Sequence, residues 1–307
     1  AQYAGHSLRI RWRIATDFAV SSNGWYVDSI ALIGDANTAN QPPAITVAAN
    51  TSSLETETDP DTTAYDIVRG TETDLSVTAT DDGGEPALTY TWSAANGPAP
   101  VVFTSNGSNS AKNTTALFQA VGDYVLSVSV ADAESLTATS AVNVRVVQTA
   151  DGLNVTPISA SVQLGNTQQF NASLLDQFGA PMVSQPASFA WSASGGGTLD
   201  STGLFTATAA GGPFVVTATS GAFSNNASVT ITPAPATITL GNLNQTYDGS
   251  PKPASVTTNP PGLSVAVTYN TLPGAPTNAG TYTVEANITH PNYQGNASGS
   301  LVISKAS

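Results

Sequence analysis

From about residue 41 this chain repeats one pattern: apolar and polar side chains alternate in short runs, and clusters of Gly, Pro, Asn, Asp and Ser separate the runs. A period of two puts successive side chains on opposite faces of a strand, so the runs read as β-strands with one face for a core. The pattern predicts three consecutive all-β modules over 44–149, 150–233 and 234–307. A linker over 35–43 and a strand pair over 1–34 precede them. In the pair, Leu8, Ile10, Trp12 and Ile14 share one face and Arg9, Arg11 and Arg13 the other; a turn through Ser21–Gly24 then leads to a second strand opening at Trp25.

Composition narrows the function classes. Charged residues make up 9% of the chain, against roughly 25% in an average domain, and the balance is neutral Thr, Ser, Asn, Ala and Val. With eight basic residues and a net charge of −13, the chain lacks the cationic clusters that displace counterions from nucleic acid, and anionic membrane surfaces are equally disfavoured. Fourteen carboxylates against two basic residues lie between Asp35 and Glu134, which localises the charge to one module. The absence of cysteine excludes disulfides, thiolate nucleophiles and cysteine metal sites, so each module must stand on packing. Cysteine-free arrays of small β modules point to an extracellular or cell-surface protein of prokaryotic type. No apolar run reaches the length of a membrane span, and a start of Ala-Gln-Tyr without a signal peptide reads as a processed or excised product.

Four resemblances then follow from short motifs. Arg11-Trp12-Arg13-Ile14 with Gly24-Trp25-Tyr26-Val27-Asp28 resembles the end of a MAM-like jelly roll. Such a strand pair without a sheet of its own either completes a missing domain or adds to a neighbouring molecule. Trp92 within Tyr90-Thr91-Trp92-Ser93, together with Gly122-Asp123-Tyr124, resembles the buried tryptophan and tyrosine corner of a PKD-like or cadherin-like immunoglobulin sandwich. Leu164-Gly165-Asn166-Thr167, Asp176-Gln177-Phe178-Gly179, Phe189-Ala190-Trp191-Ser192 and Gly203-Leu204-Phe205 come in the order of bacterial Ig-like group 2 domains. Tyr247-Asp248-Gly249, Asn278-Ala279-Gly280-Thr281-Tyr282 and Pro291-Asn292-Tyr293 resemble the MBG (YDG-motif) repeats of large bacterial surface proteins. The resemblances imply tandem immunoglobulin-like β-sandwiches preceded by an N-terminal β-strand pair.

Little in the sequence is suited to catalysis. His6 and His290 stand apart from any nucleophile motif, and paired acids such as Asp59 with Asp61 sit in turn sequence with no cleft implied. No catalytic residues are expected, and no cofactor other than calcium. Clustered oxygens suit that ion, and Asp81, Asp82, Glu85, Asp132 and Glu134 are its candidate ligands, against the plainer reading of a solvated acidic rim. Trp92, Trp191, Tyr124 and Tyr282 fall on alternating strands and read as core, not as a sugar platform. Asn-x-Ser/Thr sequons at Asn50, Asn106, Asn113, Asn154, Asn171, Asn226, Asn244, Asn287 and Asn296 are candidate glycosylation sites.

The favoured function is a non-enzymatic structural protein, a surface stalk or the subunit of an extracellular filament. Self-association would run through Leu8, Arg9, Ile10, Arg11, Trp12, Arg13, Ile14 and Trp25, three of whose arginines oppose the acidic module in sign. An adhesin recognising glycans or other surface proteins, or spacer modules of a larger secreted hydrolase, are the alternatives. Fold alone does not choose among them.

Overall fold

The structure is a computed structural model that describes residues 39–306. Within them the chain divides into two compact units. The first ends at Val146 and omits Arg69–Thr71; the second comprises those three residues and everything from Val147.

The first unit contains β1 (Ala44–Thr51), β2 (Thr56–Thr58), β3 (Ala64–Val68), β4 (Glu72–Thr80), β5 (Thr89–Asn96), β6 (Val102–Phe103), β7 (Asn113–Leu117), β8 (Gly122–Ala131) and β9 (Thr137–Val146). One sheet has the order β1-β4-β7-β6 and the other β2-β3-β9-β8-β5. Alternation sets the inner faces: Leu75, Val77 and Ala79 of β4 are buried, and so are Tyr124, Leu126, Val128 and Val130 of β8. Helical backbone among the described residues amounts to the 3-10 turns Glu85–Ala87 and Asn109–Lys112. The second of these places the Ala111 carbonyl 2.8 Å from the indole N–H of buried Trp92, which donates to it.

Two resemblance motifs take the positions expected of them. Trp92 and Tyr124 are both in the core, and the Tyr124 hydroxyl donates to the Ala120 carbonyl at 2.8 Å. Gly97 must be glycine, because its φ is +159° and an added Cβ would lie 2.3 Å from the Tyr124 ring.

The second unit opens with β10 (Ala150–Thr156), β11 (Ser159–Gln163), β12 (Thr167–Gln169), β13 (Asn171–Asp176), β14 (Ala190–Ala193), β15 (Gly197–Leu199), β16 (Leu204–Ala207), β17 (Gly211–Ser220) and β18 (Phe223–Thr232). They form β10-β13, β11-β18-β17-β14 and β12-β16-β15. Phe170, Phe205, Val216, Val229 and Ile231 fill the space between, with Trp191 half-buried against them.

The unit continues with β19 (Ala234–Pro235), β20 (Thr237–Gly241), β21 (Asn244–Thr246), β22 (Ser255–Asn259), β23 (Val265–Tyr269), β24 (Gly280–Ile288), β25 (Tyr293–Gln294) and β26 (Asn296–Ser304). Here a four-stranded sheet, β21-β26-β24-β23, is opposed by only two strands, β20-β22. The connection into this segment is held down: β19 pairs in parallel with β25, and the Ala210 amide donates to Asn292 Oδ1 at 2.8 Å.

The fully buried apolar core of the last segment is small, consisting of Tyr269, Val284, Leu301 and Ile303. Leu301 is completely enclosed. Leu301→Ala is expected to cost about 2–5 kcal/mol of that segment's stability, since no neighbouring layer can collapse into the space. Chemical denaturation followed by amide exchange within β24 and β26 checks this, and unchanged protection would contradict the packing described.

Candidate functional site

The acidic residues singled out in the sequence divide when placed in the structure. Asn40 Nδ2 donates to Asp132 Oδ2 at 2.7 Å and the Gln41 amide to Asp82 Oδ2 at 3.4 Å, so these two carboxylates share one end of the first sandwich. Asp132 is buried, which alone would push its carboxyl up. Hydrogen bonds from Asn40 and from the Leu136, Glu134 and Ser135 amides outweigh burial and leave it below the usual carboxylate range. Asp81 closes its own turn, its Oδ2 accepting from the Gly83 amide at 2.9 Å.

Glu85 is committed elsewhere. Lys112 Nζ lies 3.0 Å from its Oε1, and Asn109 Nδ2 and the Tyr90 hydroxyl donate to the same oxygen. Lys112 and Asn109 hold the Glu85 carboxyl low. A carboxylate already bonded to an ammonium is a poor ligand for a second cation. Among the described residues no group of three or more His, Asp or Glu gathers as a metal ion requires. The candidate calcium ligands thus bind protein donors, and calcium enters no step of the account below.

The most concentrated charge in the first unit was not foreseen from the sequence. Arg145 on β9 makes paired hydrogen bonds with Asp59, at 2.7 and 2.6 Å, and with Asp123 on β8, at 2.7 and 2.9 Å. Glu57 on β2 lies 3.4 Å away, and the guanidinium stands 4.4 Å over the Tyr65 ring. Asp123 and Asp59 raise the Arg145 pKa, and the Arg145 hydrogen bond lowers that of Asp59. This cluster clips the edge strand β2 and the loop after it to the centre of the sheet. Its one legible signal is Arg145 in an otherwise neutral strand, because the partners come from 22 and 86 residues away.

Of the aromatics read as core, Trp92 and Tyr124 are buried; Trp191 and Tyr282 are half-buried and packed on the cores of their segments. The Tyr282 hydroxyl donates to the Asn278 carbonyl at 3.0 Å. Gly280-Thr281-Tyr282 therefore repeats the geometry of Gly122-Asp123-Tyr124, each tyrosine reaching back four residues. Neither is offered to a ligand as a flat exposed ring. His290 Nδ1 accepts from the Asn292 amide at 3.2 Å, a turn contact with no nucleophile beside it.

The sequon asparagines vary in how much their amides are used. Asn106 accepts from the Trp92 amide and donates to the Trp92 carbonyl, at 2.7 and 2.9 Å, whereas Asn287 and Asn296 face each other across β24 and β26 on an exposed face. Asn50, Ser76 and Asn113 form one row across β1, β4 and β7 beside an open cavity of about 450 Å³, where Ser76 Oγ donates to Asn50 Oδ1. Asn113, Asn171, Asn226 and Asn244 are exposed, and Asn154 is half-buried.

A second cavity, of about 430 Å³, lies against the outer side of β22 and is lined in part by Val256, Thr258, Leu263 and Val265. The proposed assembly residues, Leu8 to Ile14 and Trp25, lie outside the described residues.

Depressed carboxyls tie stability to pH with a definite sign. Asp59, Glu85 and Asp132 have folded pKa values below their unfolded values of about 4, so their contribution is complete above that pH and is lost as pH falls through the folded values. The first unit should therefore melt at progressively lower temperature as pH is taken from about 5 towards 2. Arg145→Met should make that fall shallower, because Asp59 loses the donor that lowers it. Calorimetry across this range checks it, and identical slopes would show that the cluster is not linked to folding.

Comparisons with known proteins identify the segments. Residues 64–146 match the family model of the K319L-like PKD domain, and residues 236–307 match that of the MBG domain. No curated protein matches the chain. Among solved structures it is similar to the human desmocollin-1 ectodomain, with 13% identity and a TM-score of 0.42 over 87% of this chain and 58% of that chain. Domains 4–9 of the surface layer protein SbsC share 14% identity at a TM-score of 0.26, over 87% of this chain and 48% of that one. For domains EC22–24 of mouse cadherin-23 the identity is 13% and the TM-score 0.35, over 86% and 99%. The chain spans less than two thirds of the desmocollin-1 and SbsC chains. A PKD-type segment and an MBG-type segment thus stand in tandem in one all-β, immunoglobulin-like chain.

Proposed function

We propose that this protein is a non-enzymatic structural component outside a prokaryotic cell, the subunit of a filament or surface stalk, joined to its neighbours through the strand pair at residues 1–34. The observation that carries this reading is the tandem of a PKD-type and an MBG-type segment, the latter resembling repeats of large surface proteins. Repetition of such modules supplies length and joints, and joints need surfaces that prefer a copy of the same chain.

The chemistry of the described surface agrees with a structural use. Its densest charges are spent internally: Arg145 on Asp59 and Asp123, Lys112 on Glu85, and Lys252 on Asp248. Buried aromatics build cores. The alternating segment Leu8 to Ile14 supplies what an assembly needs, an apolar strand face that gains by leaving water and a row of arginines opposite in sign to the acidic first unit.

Electron microscopy of the full chain beside a variant lacking residues 1–34 tests this directly. Ordered filaments or chains of particles are expected from the full chain and separate rods from the deletion, with Trp12→Asp behaving as the deletion does. Separate rods from both, or equal association by both, would overturn the reading.

A further inference from the structure

The last segment is one strand short. Its four-stranded sheet faces a sheet of only two, β20-β22, and two paired strands with no third neighbour are marginal in water. Among the described residues, β22 has β20 on one side and no strand on the other, and β23 is likewise the last strand of its sheet. The 430 Å³ cavity lies beside these two unpaired edges, with Val256 and Thr258 on one wall and Leu263 and Val265 on the other. All four side chains are half-exposed, while the fully buried core of the segment stops at Tyr269, Val284, Leu301 and Ile303. A third strand beside β22 would give Ser255–Asn259 a second hydrogen-bonding partner and would cover this apolar opening.

The geometry points to residues 7–14 of a second copy of this chain as that third strand. Three features fit it. The segment alternates strictly, so Leu8, Ile10, Trp12 and Ile14 can enter the cavity together while Arg9, Arg11 and Arg13 remain in water. Eight residues at about 3.3 Å each span the five of β22 with overlap at both ends. The four wall residues carry no charge, so the apolar face meets no ion that would have to be desolvated. Each chain then carries one donor strand and one acceptor edge at different places in its sequence, a head-to-tail contact that propagates.

This inference rests on the assembly reading above and adds to it the acceptor. The chain contains no cysteine, so single cysteines report contacts without background. The full-length variants Ile10→Cys and Val256→Cys, mixed and mildly oxidised, should give a disulfide-linked dimer, and Ile10→Cys mixed with Val47→Cys, on the exposed part of β1, should not. Loss of association on deleting residues 1–34, with no dimer trapped through Val256→Cys, would overturn this acceptor and leave the assembly reading standing. Association that survives the deletion would overturn both. A chain carrying both Ile10→Cys and Val256→Cys that closes on itself as a monomer, independent of concentration, would overturn the second copy as donor.

Discussion

Everything in this chain depends on burying one face of each strand against a second sheet. Without disulfides or a gathered metal site among the described residues, a module has only that interface to hold it. The first unit satisfies the requirement well: four strands oppose five, and β8 buries every second side chain from Tyr124 to Val130. The last segment satisfies it poorly, because two strands oppose four and the core is confined to a few residues. The difference is not one of composition but of how many strands reach the second sheet. It is also why the open edge at β22, and not any cluster of charge, is where an outside strand has most to contribute.

Charge in this protein organises its surfaces. Arg145 joins three strands by bonding carboxylates from β8 and from the loop after β2, and Lys112 anchors a 3-10 turn to Glu85. Such part-exposed networks contribute modestly to stability but fix the position of an edge that would otherwise be free to pair. The carboxylates that looked like ligands in the sequence have the same kind of task. Asp132 and Asp82 receive Asn40 and Gln41, the residues through which the chain enters β1, and so tie the start of the sandwich to its end loops.

The parts of the fold legible in the sequence are those with local causes. Period-two runs announced the long strands, and short motifs announced the buried Trp92, the Tyr124 corner and the PKD-type and MBG-type segments. What escaped has non-local causes. The strand Thr56–Thr58 is three exposed residues with no apolar alternation, and it exists because β3 and Arg145 hold it. The parallel pairing of β3 with β9 joins residues nearly eighty apart, which no window on the sequence reveals. The missing strand of the last segment is equally invisible there, since Ser255–Asn259 alternates like any other strand and only the sheet order shows that one side of it is unpaired.

The central claim is that residues 1–34 complete a sheet edge in the last segment of a neighbouring copy. Amide hydrogen exchange in β22, compared between the full chain and the chain lacking residues 1–34 over a range of concentrations, tests it most directly. The account predicts that Ser255–Asn259 gains protection with concentration in the full chain and stays weakly protected in the deletion. Equal protection in both, at every concentration, would contradict it.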